Sequence, residues 1–405
     1  MAKLLSEQAA RYFAFSMLRL VYHFRQPTTA ILMQPGAFRM PDRQRLTQTL
    51  IDLIKIDSPT GEEDAIDVHL SARLADLGAT VRHDDYGNLV ATLPGSNDHA
   101  GETPVMLSAH MDTVEPGRGI KPTLDADGEV LRSDGTTILG GDCKAGLAIA
   151  LEGLTSAIED GGPRRSVQVV FSRAEEGGLN GARNLDFSLI NAKSGMVFDG
   201  EGPVSRICVS APAQNIVQCH VTGVAAHAGL EPENGTSALL VAANILTRLP
   251  LGRIDDETTS NIGVLNGGLK RNIVPESAYM DGELRSRNQA KLENYTDEIR
   301  RAFDQVAALY PQATIDLNIW NQYQAYQVGD GHPALDDIAK AVTAVGLTPS
   351  METTGGGSDA NVFFEHGIAA MVVGIGVRDF HTTRETARIS EIMDGARVCQ
   401  AYLSA

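Results

Sequence analysis

Four apolar runs in the sequence each end in a group that can bind a cation or move a proton. Val105-Met-Leu-Ser-Ala-His110-Met-Asp112 ends in an imidazole and a carboxylate, and the run from Val167 ends in the pair Glu175-Glu176. Gly195-Met-Val-Phe-Asp199 ends in an aspartate, and Ala369-Ala-Met-Val-Val-Gly leads through a short loop to His381. A fifth group, Asp142, opens an alanine- and leucine-rich stretch in Leu139-Gly-Gly-Asp-Cys-Lys-Ala-Gly146. Taken singly, a strand-end Asp is a loop residue or a helix cap, and a lone His is a structural group. Five such groups at one sheet edge are different, because clustered carboxylates repel and titrate upward unless a counter-charge stands among them. Divalent cations supply that charge, and a mixed imidazole–carboxylate set suits them. His110 and Asp112 are two apart on an extended chain and face the same side, so Asp112 can orient the imidazole through its second ring nitrogen. The two oxygens of Asp142 can bridge two metals. Glu175 and Glu176 are chain neighbours, so one can ligate a metal while the other stands off and handles protons.

The elements that must position these groups are legible from periodicity. Leu46, Leu50, Leu53 and Ile54 recur at helical spacing, and Ser58-Pro-Thr-Gly61 breaks that helix. Ile66, Leu70, Leu74 and Leu77 stripe a second helix that ends near Gly78. Short strand-like runs (Val105–Leu107, Val167–Phe171, Met196–Phe198, Ala369–Val373) alternate with helical stretches, including a long one over 144–159. This alternation predicts an α/β fold with a mixed sheet flanked by helices. Open α/β sheets bind ligands at the carboxyl ends of their strands, where all of these groups fall. The middle of the chain reads differently, with an alternating strand at 216–221 and helices at 235–249 and 289–309. It predicts an inserted α+β domain of four strands and two helices. The expected organisation is an extension over 1–40, a first catalytic segment over 41–212, the insertion over 213–327 and a second catalytic segment over 328–405.

Composition narrows the class of function. A chain of 405 residues suits one large domain and a smaller one. The 51 Asp and Glu outnumber the 34 Lys and Arg, a net charge of −17 that repels phosphate backbones and argues against nucleic acid as a partner. No apolar run reaches the roughly 20 residues that span a bilayer, so no membrane partner is expected. Cys143, Cys208, Cys219 and Cys399 are far apart and form no CxxC pair, as free thiols in a reducing cytoplasm would be. The first forty residues carry Lys3, Arg11, Arg19, Arg25 and Arg39 but one acid, Glu7. A targeting peptide shares that bias; an extension outside the fold is the preferred reading.

Together, His110-Met-Asp112, Gly-Gly-Asp142-Cys-Lys-Ala-Gly, Glu175-Glu176-Gly, Asp199-Gly and His381-Thr-Thr-Arg-Glu resemble the peptidase T-like branch of the di-zinc exopeptidase clan. That clan also holds aminoacylase, succinyl-diaminopimelate desuccinylase and glutamate carboxypeptidases. The resemblance runs from about Asp42 to the C-terminus. It implies two divalent metals, zinc first and cobalt or manganese as alternatives. His110, Asp142 and Asp199 would hold one metal; Asp142, Glu176 and His381 would hold the other. Glu175 would be the base and Asp112 the residue behind His110. It further implies a cis peptide after Asp142, a lid that also serves dimerisation, and a cytoplasmic homodimer acting on short peptides. Four matches concern substrate. His227, in Val224-Ala-Ala-His-Ala-Gly, resembles the lid histidine that reaches the partner's site. Asn272 resembles the lid asparagine, and Arg285 the arginine that grips a peptide's terminal carboxylate. The fourth is Thr354-Gly-Gly-Gly-Ser-Asp359, which resembles a glycine-rich substrate loop and places Gly356 and Ser358 at substrate. The chain departs from the peptidase T pattern at Cys143, where that pattern has Asp, and Cys143 reads as a spacer. The expected activity is that of a tripeptide aminopeptidase. The alternatives are a deacylase or carboxypeptidase of the same clan, or an inactive peptide-binding homologue. A serine hydrolase built on Gly356-Gly-Ser358 ranks last, because the second glycine of the nucleophile elbow is missing.

Overall fold

The computed structural model describes residues 40–96 and 99–404. The basic N-terminal segment, Met40 excepted, lies outside the described residues. A mixed sheet forms the centre of the larger part. Its four middle strands are Val167–Ser172, Val105–His110, Ser194–Gly200 and Ala369–Gly374, side by side in that order and all parallel. These are the four runs that end in chemistry, each extended by one to three residues at one or both ends. Val105–His110 and Val167–Ser172 are buried along their whole length, as strands covered on both faces must be. Antiparallel neighbours Leu89–Leu93 and Arg206–Ala211 flank these four, and Thr80–His83, Tyr326–Gln327 and Ser350–Thr353 extend the sheet beyond them.

The helix Gly141–Asp160 is buried along all but its last turn, and glycines in left-handed conformation, Gly140 (φ 72°) and Gly161 (φ 70°), bound it. It packs on the helices Arg43–Ile54 and Ile389–Leu403 and against the strands of His110 and Asp199. Asp42 caps the first of these by accepting from Arg45 N at 3.0 Å, and its periodic residues Leu46, Leu50, Leu53 and Ile54 are all buried.

A second sheet has its own core. Four ten-residue strands, Ala213–Thr222, Thr258–Gly267, Ser277–Ser286 and Thr314–Tyr323, pair antiparallel, and the two residues Gly252–Arg253 extend one edge. The helices Ala238–Leu246 and Gln289–Leu309 pack on this sheet, enclosing Val217, Cys219, Val241, Ile245, Met280, Leu284, Ile299 and Phe303. A third, small antiparallel sheet joins Val377–Arg378, Thr386–Arg388, Val130–Arg132 and Thr123–Leu124. The sequence pattern does not show this sheet, because strands of two or three residues carry no measurable period. Among the described residues no helix is long and apolar enough to cross a membrane.

Candidate metal centre

Parallel pairing brings the four chemical ends together. His110 is registered opposite Ser172, so the turn that carries Glu175 and Glu176 begins level with the imidazole. Asp199 follows Phe198 on the other side. His381 lies on the loop between Val377–Arg378 and Thr386–Arg388, which pair antiparallel and present that loop to the same edge. Its backbone is left-handed (φ 61°).

Asp142 stands at the middle. Its Oδ1 is 3.1 Å from His110 Nε2 and its Oδ2 is 3.1 Å from His381 Nε2. His110 Nε2 is also 3.5 Å from Asp199 Oδ1, and His381 Nε2 is 2.9 Å from Glu176 Oε1. The donor atoms that could hold a metal form two groups that share Asp142, one with His110, Cys143 and Asp199 and one with Glu176 and His381, and a third group of His110, Glu175 and Glu176 overlaps both. The peptide between Asp142 and Cys143 is cis. The Cys143 thiol lies beside His110, Asp142 and Asp199 and donates to Phe198 O at 2.5 Å, and burial pushes that thiol well above its usual range. This is the environment of an inert packing thiol rather than a nucleophile.

The electrostatics show a surplus of negative charge. Burial pushes Asp199 up to about 7, with Asp142 and Asp359 adding repulsion. Glu175 is driven well above the carboxylate range by burial and then by Asp199. Asp142 goes the other way: burial opposes its charge, but hydrogen bonds from His110 and His381 hold it at about 2. The same contacts, Asp142 first and then Glu176, raise His381 to about 10. Two imidazoles cannot neutralise Asp142, Glu175, Glu176, Asp199 and Asp359, whereas two divalent cations among these nitrogen and oxygen donors bring four positive charges to offset them.

Asp112 is placed differently from the simplest expectation. His110 Nδ1 is 2.9 Å from the backbone carbonyl of Asp112 and 3.4 Å from its carboxylate. The carboxylate instead accepts the backbone N–H of Glu175 (2.9 Å), the N–H of Glu176 (3.2 Å) and the hydroxyl of Thr60 (2.8 Å). One side chain therefore fixes both glutamates as well as flanking the histidine.

A cavity of about 900 Å³ opens over this cluster and is walled by both the large sheet and the second one. Arg285, Gly356 and Ser358 line it. Arg285 is not free, since its Nε and Nη2 hold Glu283 at 2.9 and 2.8 Å, leaving Nη1 without a hydrogen bond among the described residues. Ser358 caps the helix Asp359–Glu365 through Ala360 N. The structure does not bring His227 and Asn272 to the cavity. They adjoin each other, with Ala228 N donating to Asn272 O at 3.1 Å, on an exposed part of the insertion. His227 Nδ1 accepts from Gly229 N and Leu230 N, so its Nε2 points outward as the donor.

Three further residues escaped the sequence reading. Thr60 sits in the loop noted only as a helix breaker. Asp359 is buried, is hydrogen-bonded to Ser172 through one oxygen, and has no partner on the other among the described residues. Glu385 closes the run His381-Thr-Thr-Arg-Glu. The available signal for each was a polar residue inside or beside a motif.

The family model described as Peptidase family M20/M25/M40 matches residues 106–405. A solved aminopeptidase PepT from Bacillus cereus is 37% identical, covers 90% of this chain and 99% of its own, and superposes with a TM-score of 0.80. A solved tripeptidase from Staphylococcus aureus is 32% identical over the same shares, with a TM-score of 0.84. The protein YqjE of Bacillus subtilis is 36% identical over 373 residues, 90% of this chain and 99% of its own length.

Proposed function

The chain belongs to peptidase family M20/M25/M40, and from that premise we propose that it is a two-metal exopeptidase that removes the N-terminal residue of short peptides, tripeptides foremost. The observation that carries this reading is Asp142, whose two oxygens each face a different histidine at 3.1 Å. The residue sets are His110, Asp142 and Asp199 for one ion, and Asp142, Glu176 and His381 for the other. Zinc is the first candidate, with cobalt and manganese as alternatives. Bound there, divalent cations polarise a scissile carbonyl and acidify water.

The remaining work falls to the chain. Glu175, whose buried carboxyl favours holding a proton, takes one from the attacking water and delivers it to the leaving amine. Asp112 keeps Glu175 in place through its backbone. The Nη1 of Arg285 is the donor on the cavity wall for the terminal carboxylate of the peptide, and the glycine-rich loop with Gly356 and Ser358 borders the peptide backbone. His227 lies away from this chain's cavity, so its outward Nε2–H serves the oxyanion of a second copy, with Asn272 beside it. A homodimer through the insertion supplies that arrangement. Leu230 and Leu269, 79% and 83% exposed on the insertion, are the apolar surface it would cover. Four free cysteines suit the cytoplasm.

The test is a panel of tripeptides with free or acetylated N-termini and free or amidated C-termini, incubated with metal-loaded protein. Release of the first residue from free tripeptides, blocked by acetylation, supports an aminopeptidase. Release of the last residue, or cleavage of N-acyl amino acids instead, assigns the protein to the carboxypeptidases or deacylases of the family. No turnover by protein that holds its metals would make it a peptide-binding homologue.

A further inference from the structure

Glu385 is 1% exposed, yet it carries a carboxyl group next to a centre already rich in carboxylates. Its contacts account for it. Oε2 accepts the backbone N–H groups of Leu139 and Gly140, both at 2.8 Å, and Oε1 accepts that of Asp142 at 2.9 Å. The turn that presents Asp142 therefore closes around one carboxylate. Gly141 makes the approach possible, because a Cβ there would stand 3.2 Å from Glu385 Oε1 and 3.0 Å from Val377. Glu385 in turn belongs to the loop of His381, and its own N–H closes a turn on Thr382 O at 3.1 Å.

The ligands differ in what else holds them. His110 and Asp199 lie on adjacent parallel strands, and the sheet ladder fixes them. His381 lies on a loop, with its side chain half exposed. We propose that Glu385 is the positioning residue that pins the His381 loop to the Asp142 turn and so sets affinity for the ion shared by Asp142, Glu176 and His381. This rests on the two-metal reading above. Glu385 touches neither substrate nor ion; it acts by holding two ligands in mutual register.

The test uses the full chain, stripped of metal and titrated with Co2+ by calorimetry and visible absorption, as wild type, Glu385→Gln and Glu385→Ala. The glutamine keeps shape and one acceptor, but its amide must oppose at least one of the three N–H donors. We expect two equivalents in wild type. Supporting residues around metal ligands are worth ~10–100-fold in affinity, so the second equivalent should weaken by about that factor in Glu385→Gln and by more in Glu385→Ala. The first equivalent should change by less than about threefold on the same scale. Circular dichroism melts of the metal-free proteins report whether each variant folds, and the glutamine variant decides if the alanine variant does not. Folded variants that bind both ions as wild type does would overturn the proposal, as would equal weakening of both ions. Wild type that never takes a second equivalent would instead remove the two-metal reading itself.

Discussion

Glu176 lies 2.9 Å from His381, whereas Glu175, one residue earlier, turns into buried space within electrostatic reach of Asp199 and Asp359. The same side chain thus meets a cationic partner in one position and a repulsive, poorly solvated one in the other. Glu175→Gln keeps shape and loses the proton, so kcat should fall by ~10²–10⁴-fold while metal content stays at the wild-type level. Glu176→Gln should lose metal first. Equal metal loss in both variants, measured by elemental analysis, would erase this division. Asp199 adds a pH dependence. Its carboxyl sits near about 7 and must shed its proton to ligate, so protons compete with metal as pH falls through 7. Calorimetric Co2+ titrations at pH 8 and pH 6 should show weaker binding at the lower pH; identical affinity would contradict the assignment of Asp199 as a ligand.

At the level of elements, the centre depends on how closely the helix Gly141–Asp160 approaches the Asp199 strand. Gly146, one turn beyond Asp142, marks the contact: a Cβ there would stand 2.2 Å from Phe198 O and 2.8 Å from Cys143 Sγ. Neither neighbour is the flexible end of a side chain, so the helix must move. Overpacking of this kind costs ~1–3 kcal/mol. Gly146→Ala should therefore lower the thermal midpoint of the metal-free protein and, by displacing Asp142 and Asp199 relative to each other, lower kcat as well. A variant with unchanged melting and unchanged turnover would show that the approach is looser than the geometry indicates. Cys143→Ser, which keeps a donor for Phe198 O, should retain most activity by the same assays.

At the level of the molecule, one chain places Arg285 and the glycine-rich loop on the cavity and leaves His227 outside it. If His227 works across a dimer, each active site draws on two chains. His227→Ala and Glu175→Gln would then each be inactive alone, but mixing and reassembling them should restore activity. A random mixed dimer carries one intact site, so recovery near one quarter of wild type is expected, on the order of the share of good sites set by closed two-fold pairing. Absence of any recovery, with mixed dimers shown by native mass spectrometry, would place His227 outside catalysis. Leu230→Asp together with Leu269→Asp should shift the protein toward monomer in light scattering if these leucines lie in the interface.

The sequence by itself determined the local facts: which strands are covered on both faces, because Val105–His110 and Val167–Ser172 contain few polar residues, and which residues stand at their ends. It also determined the residue types that suit a metal centre, because acid and imidazole groups after four strands, with Asp142 at a helix start, have few other uses. Whether those ends meet is not local. Only the parallel pairing of four strands drawn from residues 105 to 374 puts His110, Glu176, Asp199 and His381 around Asp142. The tertiary structure alone decided the partners of polar groups that spacing cannot assign. It gave the carboxylate of Asp112 to the backbone of two glutamates, closed Arg285 on Glu283, and buried Glu385 against three N–H groups some 245 residues away in the chain. The contacts of Asp112 and Glu385 join segments remote in sequence, whereas Glu283 and Arg285 are two residues apart and the fold decides only that their side chains close on each other; a hydrogen bond leaves no period in the chain that makes it.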